Sequence, residues 1–295
     1  MPRVAVLLPA RDAAPTVRAA PRGAPVIRLL REHWSFYVIE GGALGLFMVS
    51  ATVFSSLFEH PAFPLRAAIA DPFARRALVG LLMGLTAIAL IYSPPGRRSG
   101  AHMNPAVTLT FLRLGKIAPA DAAFYVAAQF AGGLAGCLAG GSLVYPVAGR
   151  EAFRIVATVP GPAGSGVAFA AEALISFVLM LTVLCCSNSR RLAPYTGLFA
   201  GGLVALFISV EAPLSGMSMN IARTVASAFP AGEWRGIGIY ATAPLLGMLG
   251  AAELYRRVSV WGAPLCAKLQ HGPRCIFRCN YDRLTAPVGG GGSHD

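Results

Sequence analysis

Two decapeptides hold the polar side chains best placed to act on another molecule. SGAHMNPAVT begins at Ser99 and SGMSMNIART at Ser215, 116 residues later, and the two agree at six of ten positions. Each delivers an asparagine, Asn104 and Asn220, whose side-chain amide donates N–H bonds to a polar oxygen. Pro105 and Ala106 follow the first asparagine, Ile221 and Ala222 the second, and Arg223 adds a fixed positive charge. The chemistry on offer is donation to a neutral oxygen. No nucleophile constellation, phosphate-cradling loop or metal-protease spacing occurs along the chain, so no enzymatic activity is expected.

Asparagine is a strong helix N-cap and proline suits the first helical position. Each decapeptide therefore reads as a polar loop, a cap, then a short apolar helix. About eight residues at 1.5 Å rise span roughly 12 Å, less than half of a ~30 Å hydrocarbon core. Ile221 replaces proline at the one place where its N–H is an orphan donor, so the second helix keeps its start. Loop carbonyls near Gly100, Ala101, His102 and Met103, and near Gly216, Met217, Ser218 and Met219, are expected to line a polar path.

The elements around them are hydrophobic. Hydrophobic residues make up 55% of the 295 and charged residues 13%, about half the charge of a soluble domain. Between Tyr37 and Phe58 the only charge is Glu40, and between Ala122 and Val144 there is none. Six transmembrane helices are expected, near Tyr37–Phe58, Ala77–Tyr92, Ala122–Val144, Val167–Cys186, Tyr195–Val210 and Ile237–Leu254. The net charge of +12 does not point to nucleic acid, because with a cytoplasmic N-terminus eighteen of the 25 Lys and Arg fall on the inside segments. That bias places both termini in the cytoplasm, and basic tails near anionic headgroups account for most of the rest. No small-residue cleavage site precedes the first span, which argues against a removed signal peptide. Residues 1–35 read as a basic, disordered arm, 36–256 as the membrane domain with halves near 36–145 and 166–256, and 257–295 as a cytoplasmic tail.

Each half holds three spans with the decapeptide after its second. Three is odd, so the second half inserts upside down, an inverted-topology repeat whose functional site lies where the halves meet. The two short helices then meet N-terminus to N-terminus near the midplane. Glu40 and Glu172 sit early in the first span of each half. One reading makes them proton relays of a coupled carrier. The other makes them acceptors for loop N–H groups that re-entrant backbone leaves unpaired, and their symmetric placement favours it. Gln129 and His102 read as loop-bracing or path-side groups.

This arrangement resembles the aquaporin, or major intrinsic protein, family over residues 36–256: SGAHMNPAVT matches the family's first box, and GMSMNIARTVASAFP its second apart from Ile221. The resemblance implies an all-α fold of six spans and two half-helices. It implies a passive channel for water or small uncharged solutes such as glycerol, urea or metalloid hydroxides. A constriction would be formed at Asn104, Pro105, Ala106, Asn220, Ile221 and Ala222. It also implies a filter of Arg223, Ile208, Met217 and either Met83 or Gly84, a homotetramer, and a plasma or inner membrane. Water-selective members carry an aromatic residue and a histidine at the filter. This chain has neither, which suggests a wider, more apolar filter. A closed-pore structural or adhesion member of the same fold is the third reading.

Cys137, Cys185 and Cys186 fall in spans and read as packing. The tail segment CAKLQHGPRCIFRC holds Cys266, His271, Cys275 and Cys279. Thiols and imidazole in a reducing compartment can bind zinc, but the spacing matches no familiar finger. Free thiols on an amphipathic tail segment are expected, with no metal or other cofactor.

Overall fold

The computed structural model describes residues 26–258, 262–272 and 275–281. The expected disorder of residues 1–25 lies outside the described residues. Residues 26–35 are not disordered: α1 runs from Val26 to Glu59. Its first turns project past the apolar stretch and are anchored on another helix. His33 Nδ1 and Tyr37 Oη both meet Asp121 Oδ1, at 2.8 and 2.6 Å, and Arg98 Nη2 donates to Ser35 Oγ at 2.8 Å.

After the short α2 (Pro64–Ala68), α3 spans Pro72–Tyr92. It begins five residues earlier than its apolar stretch suggested. Asp71 caps it, accepting from the N–H of Phe73 and Ala74. Its buried Arg75 faces Glu59 at 3.3 Å and donates to the carbonyls of Ile69 and Ala70. A one-turn helix α4 (Pro94–Ser99) precedes half-helix α5 (Pro105–Arg113), and α6 (Pro119–Ala148) completes the first half.

After α7 (Glu151–Val156) the plan repeats. Helix α8 (Ser165–Ser187) matches α1, α9 (Thr196–Val210) matches α3, and α10 (Ala212–Ser215) matches α4. Half-helix α11 (Ile221–Ala231) and α12 (Ile237–Arg257) close the series. A 3-10 turn at Ala193–Tyr195 lengthens the fifth span. Among the described residues, six helical segments are long and apolar enough to cross a membrane, and there is no strand.

The same pairs form in both halves: α1 packs along α6, α8 along α12, and α3 against α9 across the repeat. Small residues permit the close approach. A Cβ on Gly132 would lie 2.0 Å from the Gly41 carbonyl oxygen, and one on Gly136 2.0 Å from that of Gly45. Leu46, Leu143, Leu174 and Leu246 remain exposed on the outer surface, as an apolar solvent requires.

Candidate functional site

The two decapeptides adopt matching backbones. Each begins where a short helix ends on a left-handed glycine, Gly100 at φ 100° and Gly216 at φ 79°. Ala101 and Met217 then take φ 53° and 49°, and Met103 and Met219 take 49° and 52°. Non-glycine residues in this region cost about 1–2 kcal/mol each, so four of them persist only under strong local restraint.

Glu40 and Glu172 supply part of that restraint. Met103 N donates to Glu40 Oε1, and Gln129 Nε2 donates to the same oxygen at 3.1 Å. Glu172 accepts from Ser218 N at 2.6 Å, Met219 N at 2.7 Å and Ser215 Oγ at 2.7 Å. Both carboxylates are fully buried. His102 Nδ1 meets Thr108 Oγ1 at 3.0 Å, and at the equivalent place Ser218 Oγ meets Thr224 Oγ1 at 2.5 Å.

At the tips, Asn104 and Asn220 cap α5 and α11. Asn104 Oδ1 accepts from Ala106 N at 2.8 Å, and Asn220 Oδ1 from Ala222 N and Arg223 N at 3.1 and 3.2 Å. Their amide nitrogens cross the repeat: Asn104 Nδ2 donates to the Met219 carbonyl at 2.6 Å and Asn220 Nδ2 to the Met103 carbonyl at 2.7 Å. Each NH2 keeps a second hydrogen for another acceptor.

A cavity of about 400 Å³ passes these tips. Its walls run from Glu59 and Arg76 at one end, past Asn104, Asn220 and Arg223, to His102 and Leu269 at the other. Ala101, Met103, Gly216, Met217, Ser218 and Met219 line it. Gly100 does not: its carbonyl accepts from Leu269 N at 3.1 Å. Pro105, Ala106, Ile221 and Ala222 are also absent from the lining; Ala106 and Ala222 are buried in the helix contacts behind it.

Met83, Ile208, Met217 and Arg223 all line the cavity. Gly84 does not line it. It sits in the α3–α9 contact, where an added Cβ would lie 2.6 Å from the Gly201 carbonyl oxygen and 2.8 Å from Ala205 Cβ. Arg223 Nη1 is buried and has no hydrogen-bond partner among the described residues.

Two further residues complete the symmetry. Tyr125 Oη donates to the Ser99 carbonyl at 2.7 Å, and Tyr240 Oη to the Ser215 carbonyl at 2.6 Å. Their separation of 115 residues, equal to that of Gln129 and Pro244, was the available sequence signal.

The tail departs most from expectation. Residues 262–272 and 275–281 form neither helix nor strand and fold back onto the first decapeptide. His102 Nε2 lies 2.6 Å from the Ala267 carbonyl oxygen, and its ring is sandwiched between Phe111 and Phe277. The described tail residues form no amphipathic helix, and the three thiols are free but convergent: the polar atoms of Cys266, His271, Cys275 and Cys279 all lie within 4.8 Å of one another.

Residues 42–255 match the model of the family described as Major intrinsic protein. Aquaporin NIP1-1 of Oryza sativa subsp. japonica is 34% identical over 191 residues, covering 63% of this chain and 64% of that protein. Nodulin-26 of Glycine max is 33% identical over 190 residues, covering 63% and 67%. The chain thus spans slightly less than two thirds of the first of these relatives. The solved aquaglyceroporin of Plasmodium falciparum shares the fold, with a TM-score of 0.59 at 18% identity, over 77% of this chain and 96% of that one. With the family match running unbroken through both decapeptides and all six apolar helical segments, this multi-pass membrane protein belongs to the major intrinsic protein family.

Proposed function

We propose that the chain is a passive channel, not an enzyme, for water and small uncharged solutes, and that it excludes protons and ions. The observation that carries this is the pair of capped half-helices whose N-termini meet at the cavity wall, where Asn104 and Asn220 bind one another's loops. Each end carries about half an elementary charge. Together they confront a cation ~5 Å away with a barrier of about 3 kcal/mol at an effective dielectric of ~20, before any lost hydration is counted. A water passing the tips accepts from both asparagines through its oxygen. Its own hydrogens then point outward, and a continuous proton wire is broken.

Met83, Ile208, Met217 and Arg223 are the proposed filter. Three apolar side chains beside one fixed charge suit a solute with a small apolar body and hydroxyl or amide oxygens. This extends the expected range beyond water to glycerol, urea or metalloid hydroxides. Glu40 and Glu172 serve as loop braces, since a carrier's relay carboxylate must meet the solute path and both are occupied by loop N–H groups and fully buried. Both termini are placed in the cytoplasm on the distribution of Lys and Arg, and a homotetramer is inferred from the family.

Proteoliposomes shocked with glycerol or urea in a stopped-flow instrument test the selectivity. Rapid re-swelling above that of empty vesicles supports the apolar filter. Water permeation with no re-swelling contradicts it.

A further inference from the structure

Four tail side chains take no part in lining the cavity. Cys266 Sγ lies 3.5 Å from Cys275 Sγ, and His271 Nε2 lies 3.1 Å from Cys279 Sγ. The four polar atoms are mutually within 4.8 Å. A tetrahedral zinc ion, with Zn–S about 2.3 Å and Zn–N about 2.0 Å, sets ligand atoms roughly 3.5–3.8 Å apart. The cluster therefore needs only small shifts to receive one ion.

The surroundings suit the charge. Three thiolates around one divalent cation leave one net negative charge. Lys268, 2% exposed, lies in the same tail segment and donates to the Arg97 carbonyl at 2.9 Å. The imidazole of His271 lies flat on Tyr281, with ring centroids 4.0 Å apart and 3° between planes, which fixes its orientation. A tail without regular secondary structure gains its shape from such a staple.

We propose that Cys266, His271, Cys275 and Cys279 form a structural Zn2+ centre that fastens the tail across the end of the cavity at His102. Binding releases three thiol protons and uses the neutral imidazole. The fastened segment contacts the channel body through bonds of its backbone that include the Ala267 carbonyl on His102, Leu269 N on the Gly100 carbonyl, Arg278 N on the Lys116 carbonyl, Lys116 Nζ on the Arg278 carbonyl, and Leu265 N on Asn188 Oδ1. Leu269 forms part of the cavity wall at that end. The metal site stands independently of the channel reading; only its effect on permeation rests on that reading.

The test is metal content of the full chain, purified in detergent under reducing conditions without chelator. Wild type is compared with Cys275→Ser, Cys279→Ser and the control Cys137→Ser, whose thiol lies in α6 beside Thr52. One zinc ion per chain is expected in wild type and control, with loss in both tail variants at unchanged helix content. Cobalt exchange should give tetrahedral thiolate absorption in wild type and the Cys137→Ser control alone. Folded wild-type protein without zinc overturns the site, whether its tail thiols are free or Cys266 and Cys275 are joined as a disulfide. For the fastening, limited trypsin digestion in detergent should cut after Lys268 when chelator is added and not before. Equal protection in both conditions overturns it. Neither measurement depends on permeation, so a failure here is separable from a failure of the channel reading. With the channel reading in force, chelation should raise water permeability several-fold in wild type and leave Cys279→Ser unchanged. An unaltered wild type overturns closure by the tail.

Discussion

Asn104 and Asn220 hold one another's loops: each donates its side-chain amide to the carbonyl of the residue preceding the other, at 2.6 and 2.7 Å. Each asparagine therefore has three tasks. It caps its own half-helix, ties down the opposite loop, and keeps one N–H for whatever passes. A helix cap alone explains the first of these and not the reciprocity.

Replacing either asparagine by leucine should remove a cap, which costs about 0.5–2 kcal/mol. It should also take the side-chain donor from a carbonyl of the opposite loop, Met219 for Asn104 and Met103 for Asn220, a net loss of about 0.5–1.5 kcal/mol. Asn104→Leu and Asn220→Leu are expected to unfold at lower temperature in detergent and to conduct poorly after correction for inserted protein. The double variant should lose less than the sum, because the two sites are coupled.

Ile221→Pro should be mild. The position opens α11, and Asn220 at φ −156° and ψ 105° already has the extended backbone that proline demands of its predecessor. Stability should rise by about 0.4–1 kcal/mol, with permeation and ion exclusion largely retained. A thermal melt and a conductance measurement check it; loss of permeation would show that the isoleucine side chain has a role of its own.

Met83 and Gly84 should separate cleanly. Met83→Ala enlarges the filter, and glycerol permeability should rise relative to water at little change in insertion. Gly84→Ala drives a methyl into the α3–α9 contact and should destabilise by about 1–3 kcal/mol without changing the solute ratio. Relative permeabilities and melting temperatures of the two variants decide.

Arg223→Ala should remove the fixed charge beside the filter and widen it. Larger solutes and protons are then expected to pass faster, read as the glycerol-to-water ratio and as the decay of an imposed pH gradient.

The repeated box was legible because Asn, Gly and the small residues must recur wherever the same backbone recurs. The spacing of 116 residues carries over to the positive-φ pairs Ala101–Met217 and Met103–Met219. Other features left no such trace. The start of α1 at Val26 lies in charged sequence, since a helix that outruns the bilayer needs no apolar residues there. The early start of α3 is masked by Arg75 and Arg76, and the charge of Arg75 is met by Glu59, distant in sequence. Met83 and Gly84 are adjacent in sequence and are told apart only by packing, which puts the first in the cavity wall and the second in the α3–α9 contact. The tail has neither helical nor strand period, because long-range bonds and four convergent side chains shape it.

The most direct test of the channel reading is osmotic water permeability of the full chain in proteoliposomes, measured by stopped-flow light scattering across temperature, with chelator present and with or without a proton gradient. The account predicts a rate well above that of empty vesicles, an activation energy close to that of free water diffusion, and no response to the gradient. Transport that requires the proton gradient, or permeability equal to that of empty vesicles from well-inserted protein, would contradict it.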